Sequence, residues 1–211
     1  MVNGNKYSRM IGSKIIVFDL DGTITIENTF PIFYRFLIRR KILELKVLDL
    51  SKILFWTLRR YFKKITRAEF KMKLHSISIN YYNRTEFIEG CLNTSNNTVL
   101  RIIEGYLDKP EYRLILNTAA LPYGIELGKK IGFNEILTSS YKDGQWFENA
   151  DKNKLASLAT LLDSKDVVEE FYTDDIEDLP MIKIAEKVFL VNPSTLTLKE
   201  MEKQDLEYSI L

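Results

Sequence analysis

The sequence predicts an α/β fold: a doubly wound, Rossmann-like parallel sheet, interrupted after its first strand by a long all-helical insert. Three observations carry this. The run Lys14-Ile15-Ile16-Val17-Phe18 is continuous and rich in β-branched residues, and it stops at Asp19, as a strand buried on both faces does. Beyond about residue 105, short apolar runs alternate with helix-period segments, the rhythm of β-α-β units. Between these regions only the helical period is present.

Within the insert, the sets Phe33, Phe36, Leu37, then Leu50, Ile53, Leu54, Leu58, then Phe70 and Leu74 recur at helical spacing. The polar cluster Asn93 to Thr98 reads as a loop or a helix start. The later strands are predicted at Tyr112 to Leu116, Glu135 to Leu137, Glu169 to Thr173 and Lys187 to Val191. Helices are predicted at Pro122 to Ile131, with Pro in its first turn and Gly132 as its stop, at Lys152 to Leu162, and at Leu179 to Glu186. The core is thus expected in residues 1–29 and 106–211 and the insert in 30–105. No internal repeat or low-complexity segment interrupts either part.

With 211 residues, 45% of them hydrophobic, the chain is long and apolar enough for a substantial core, which excludes disordered and collagen-like classes. Cys91 is the single cysteine and His75 the single histidine, which excludes an internal disulfide and a zinc site of the usual kind. A metal here must be held by oxygen. The first 13 residues lack the apolar stretch of a signal peptide and no run of 18 apolar residues occurs, so the chain is expected in the cytoplasm. The net charge of +1 hides an asymmetry: residues 31–74 hold 13 basic and three acidic residues, the remainder 17 basic and 26 acidic.

The chemistry is concentrated in two acidic strings. Phe18-Asp19-Leu20-Asp21-Gly22-Thr23 delivers two carboxylates to the end of a buried strand, where ligands bind in open α/β sheets. Acids so close repel unless a cation lies between them or one is protonated, which suggests a magnesium site combined with acid/base work. Gly22 allows a sharp turn and a close approach of backbone to ligand. The second string, Thr173-Asp174-Asp175-Ile176-Glu177-Asp178, also follows a predicted strand. Thr118 lies after the strand YRLIL, with Asn117 as the alternative, and Lys154 opens a helix, with Lys152 as the competitor. These are positions where phosphate contacts are favoured.

This ordered set resembles the haloacid-dehalogenase superfamily of aspartate-dependent phosphatases, and most closely its phosphoserine-phosphatase-like branch, which carries a helical cap inserted after the first motif. The match is carried by DLDGT at Asp19 to Thr23, Thr118 of LNTAA, Lys154 of KNKL and TDDIED ending at Asp178, with FLVNP at Phe189 to Pro193. The resemblance implies that Asp19 is the nucleophile, forming an aspartyl-phosphate, and that Asp21 is the general acid and base. It implies Mg²⁺ on the Asp19 carboxylate, the Asp21 carbonyl and Asp174, with phosphate held by Asp19, Gly22, Thr118 and Lys154. Asp178 would orient Lys154 or a metal-bound water, and Asp175 would lie just behind the ligands. Here Asp175 and Glu177 stand where the branch has Ser or Gly and Asn, and Ala119-Ala120 leaves the second motif one hydroxyl.

In the insert, Phe30, Phe33, Tyr34, Phe36, Phe55, Trp56, Tyr61 and Phe62 alternate with Arg and Lys. One reading is a solvated helical face; the other is peripheral contact with an anionic membrane, where basic-aromatic helices bind. The expected substrate is accordingly a small-molecule phosphate or a lipid-linked one, as in the related phosphatidylglycerophosphatase-like members. No motif for reading bases accompanies the charge, so no nucleic acid is expected. A third reading is a weakly catalytic protein that uses its basic cap for binding.

Overall fold

The computed structural model describes residues 13–211; the leader reading of the first residues, and the start of the 1–29 segment, lie outside the described residues. Strand β1 (Lys14–Phe18) is followed by five helices before the next strand: α1 (Thr29–Leu43), α2 (Val47–Tyr61), α3 (Arg67–Ser78), α4 (Thr85–Leu92) and α5 (Asn97–Leu107). Then come β2 (Tyr112–Asn117), α6 (Tyr123–Ile131), β3 (Glu135–Leu137), β4 (Ser140–Lys142), β5 (Gln145–Phe147) and α7 (Lys152–Ala159). The chain ends with β6 (Val167–Thr173), α8 (Leu179–Ile182), β7 (Lys187–Leu190), α9 (Thr195–Lys203) and β8 (Ser209–Ile210).

Six strands form one parallel sheet in the order β3-β2-β1-β6-β7-β8. The order reverses at β1, so the carboxyl ends of β2, β1 and β6 lie side by side around the crevice where open α/β sheets bind ligands. Side chains alternate across β1: Ile15 and Val17 enter one apolar cluster, Ile16 and Phe18 the other. The second of these contains the insert's Phe33, Leu37, Val99 and Ile103, so the helices pack on the Ile16 and Phe18 face. Phe18 stacks on Tyr172 at 4.5 Å and Tyr172 on Phe189 at 4.7 Å, an aromatic ladder across three strands.

Local signals set the helix ends. The Asn28 side chain caps α1, Thr66 and Glu69 form a capping box on α3, and Asn96 caps α5, so the polar cluster there is a helix start. Gly132, at φ 116°, ends α6 as read from the sequence. The segment entering α1 and the segment leaving α4 run side by side: Ile26 N–H donates to Thr94 O and Asn96 N–H to Ile24 O, both at 2.8 Å.

Several readings need correction. α7 and α8 stop at Ala159 and Ile182, short of the predicted Leu162 and Glu186, because each closes on i→i−3 bonds (Leu161 to Leu158, Ile184 to Met181). α5 runs to Leu107, beyond residue 105. The β4–β5 hairpin, α9 and β8 were not anticipated. Of α2's 15 residues only Ile53 is buried; Leu54 and Leu58, which shared its helical spacing, face outward because α2 packs only along one side, on α1 and α3.

Candidate active site

Each strand around the crevice hands over one polar residue. Asp19 follows β1, Thr118 follows β2 and Asp174 follows β6; all three line one cavity of about 270 Å³ together with Asp21, Lys154, Asp175, Glu177 and Asp178. The sheet order accounts for the convergence, since β1 pairs with both β2 and β6.

Lys154 reaches the cavity from the first turn of α7 and is only 5% exposed. Its Nζ lies 2.8 Å from Asp19 Oδ1 and 2.7 Å from Asp178 Oδ1. Asp178 Oδ2 also accepts from Thr173 Oγ1 at 2.9 Å. Burial opposes the charge on Lys154, but the two carboxylates outweigh it and hold its pKa above the ordinary lysine value. Burial pushes Asp19 up to about 8 against the pull of Lys154, with Asp178 and Asp21 adding repulsion. Lys152 is exposed and takes no part.

Asp21 is turned toward the insert. Its Oδ1 accepts from Thr29 N–H at 2.7 Å and from Thr29 Oγ1 at 2.6 Å, at the N-terminus of α1, and Tyr123 OH lies 3.1 Å behind that hydroxyl. Thr118 lines the cavity, whereas Asn117 is fully buried behind it. Asn117 donates to Lys154 O at 3.0 Å and accepts from Asn149 Nδ2 at 2.8 Å, tying β2 to the start of α7.

The site suits a hard divalent cation. Asp174 is pushed up to about 7, first by burial and then by Asp175, and burial raises Asp19 on the same cavity, so both carboxylates are poorly solvated and a cation there would favour their charged forms. Gly22, at φ 81°, makes the room: a Cβ there would lie 2.1 Å from Asp174 Oδ2. The missing Cβ leaves this space to the Asp174 carboxylate. Among the described residues no three Asp, Glu, His or Cys side chains converge as a metal cluster. With Asp21 Oδ1 held by Thr29, the donors that fit are the carboxylates of Asp19 and Asp174 and the carbonyl of Asp21.

Sequence reasoning missed the insert's contribution. Arg67, at the start of α3, lines the same cavity, as do Asn28, Ala150 and Asp151 of the core. Nearby, buried Lys71 donates to Ala119 O at 2.7 Å and pairs with Glu148 at 3.0 Å, latching α3 to the loop that carries Thr118. Burial first, then Arg67, lowers the Lys71 pKa. Nothing in their spacing separates Arg67 and Lys71 from the other basic residues of the insert.

No protein-family model matches the chain, and no curated protein matches it in sequence. Solved structures do match in shape. A protein of unknown function from Bordetella pertussis Tohama I superposes with a TM-score of 0.71 at 14% identity, over 93% of this chain and 98% of that one. A HAD family hydrolase from Salmonella enterica serovar Typhi gives 0.52 at 16% identity, over 91% and 67%. A phosphoserine phosphatase captured as a phospho-aspartyl intermediate analogue gives 0.51 at 16%, over 94% and 93%. The chain therefore has the fold of haloacid-dehalogenase-type hydrolases of the phosphoserine-phosphatase kind.

Proposed function

We propose that the protein is a magnesium-dependent phosphomonoesterase acting on a small-molecule phosphate through an aspartyl-phosphate on Asp19. The observation that carries this reading is the convergence of Asp19, Thr118, Asp174 and Lys154 on one cavity, with Asp21 alongside. An Asp19 oxygen attacks phosphorus as the bond to the leaving oxygen breaks, and Asp21 supplies the proton that oxygen needs. Asp21 then takes a proton from water, which attacks the phosphorus, releasing phosphate and restoring the Asp19 carboxylate. Thr118 donates to the transferring group, Lys154 offsets charge on it and on Asp19, and Asp178 positions Lys154. Asp19, Asp174 and the Asp21 carbonyl would hold Mg²⁺, which would supply Lewis-acid neutralisation of the phosphoryl oxygens. Asp175 and Glu177, both exposed on the rim, stay solvated.

The test is turnover of p-nitrophenyl phosphate by purified protein. Asp19→Asn and Asp21→Asn are each expected to abolish it with unchanged circular dichroism, as is EDTA, with recovery on adding magnesium. Wild-type turnover in either variant overturns the mechanism, and wild-type turnover no higher than that of Asp19→Asn points instead to a binding role for the domain.

A further inference from the structure

We propose that the outward face of α2, with the turn that follows it, docks on an anionic membrane surface. α2 has two apolar faces. The inner one holds Ile53; the outer one carries Leu48, Leu54, Phe55, Leu58, Tyr61 and Phe62, of which Leu48 and Tyr61 are each 78% exposed and Leu54 62%. Positions 48, 55 and 62, and likewise 54 and 61, are seven residues apart, close to two helical turns, so these side chains form a stripe along the helix. A contiguous exposed stripe of this kind marks an interaction surface.

The charge around the stripe selects the occupant. Lys52, Arg59, Arg60, Lys63 and Lys64 are exposed, and among the described residues none of them has a carboxylate within salt-bridge distance. The one acid on α2, Asp49, is already paired with Lys41 at 2.6 Å. A second copy of this chain docking on the same face would bring two like-charged sets of these cations into one interface, a repulsion that costs affinity. An anionic lipid surface satisfies both features, taking the apolar side chains below the headgroups and the cations among them.

The neighbouring helix continues the same chemistry. An open groove of about 290 Å³ on α1 is lined by Ile38, Ile42 and Leu43 with Arg35 and Arg39, apolar side chains beside two guanidinium groups. The docking turn also lies close to the catalytic cavity: Lys64 precedes Arg67 by three residues, a span of at most about 11 Å. The surface is independent of the chemistry proposed for Asp19, so either can fail without the other.

The experiment is co-sedimentation of the full-length protein with vesicles of phosphatidylcholine alone and of phosphatidylcholine with an equal part of phosphatidylglycerol. Sedimentation velocity gives the oligomeric state. The wild type is expected to be monomeric, to bind the anionic vesicles, and to release them at high salt. Replacing Arg59, Arg60, Lys63 and Lys64 by Ala should weaken binding several hundred-fold, at roughly five-fold per charge. The triple variant Leu54→Ser, Phe55→Ser, Leu58→Ser should weaken it at least about ten-fold. These side chains are exposed, and thermal melting checks that both variants stay folded. Three results overturn the proposal: no binding at low salt, equal binding to neutral vesicles, or a wild-type dimer that the triple variant dissociates, which would make the face a self-interface.

Discussion

Lys154 bridges two buried carboxylates, with its Nζ 2.8 Å from Asp19 Oδ1 and 2.7 Å from Asp178 Oδ1. Asp178 is fixed in turn by the Thr173 hydroxyl at 2.9 Å, so β6 holds the cation in place against the end of β1. Lys154→Met leaves both acids without their partner. It should reduce turnover by about 10²–10³ and, without magnesium, lower stability by about 3 kcal/mol, measured by steady-state kinetics and urea unfolding. Asp178→Asn keeps the shape but loosens Lys154. A loss of about 10–100-fold in kcat with KM little changed is expected; a pure KM effect would remove the positioning role.

Gly22→Ala should act through Asp174. The new Cβ would fall 2.1 Å from Asp174 Oδ2 at a φ of 81°, so the carboxylate must move and the backbone is strained. A stability loss of about 1–3 kcal/mol is expected. The rise in melting temperature on adding MgCl₂, expected for the wild type, should shrink in the variant. An equal rise in both would show that Asp174 does not hold the ion.

Arg67→Ala tests the insert's share in substrate binding. Arg67 lines the cavity and touches Glu148 at 3.4 Å from a half-exposed position, so its removal should leave the fold intact. For an anionic substrate KM should rise about ten-fold with kcat nearly unchanged, the pattern of lost uniform binding. A fall in kcat alone would assign Arg67 to the transition state instead.

The interface of α3 with the β4–β5 hairpin should weaken in acid. His75 sits among Tyr82, whose hydroxyl is 2.9 Å from Nδ1, and the rings of Tyr141 and Trp146, each centred 5.4 Å away. Burial lowers its pKa below 6.5, so protonation is easier in the unfolded chain. Its contribution to stability is therefore complete above pH 6.5 and is lost as pH falls through that value toward the folded-state pKa. The drop in melting temperature between about pH 7.5 and 5.5 should be smaller in His75→Gln; an equal drop would place the acid sensitivity elsewhere.

Much of the core was readable from local chemistry. The strand ending at Asp19 and the stop at Gly132 each rest on a few adjacent residues with one physical meaning. The β4–β5 hairpin was missed although Asp143-Gly144, both at positive φ, is a strong turn pair, because its strands are only three residues long and lack a clear apolar alternation. Asn149 carried no signal at all. Its side chain matters only because it reaches Asn117 and the carbonyls of Thr118 and Leu137 at once.

By itself the sequence determined the α/β class, the helical insert and the acids and lysine worth watching, because strand runs, helix stops and short motifs are properties of neighbouring residues. Tertiary structure decided which side chains meet. It put Thr118 on the cavity and Asn117 behind it, buried Lys154 while leaving Lys152 exposed, turned Asp21 onto Thr29, and gave Gly22 the carboxylate of Asp174 as its neighbour. It also turned six of α2's nine apolar residues outward. Helical spacing shows that a face is apolar, but only the placement of the other helices determines whether anything covers it.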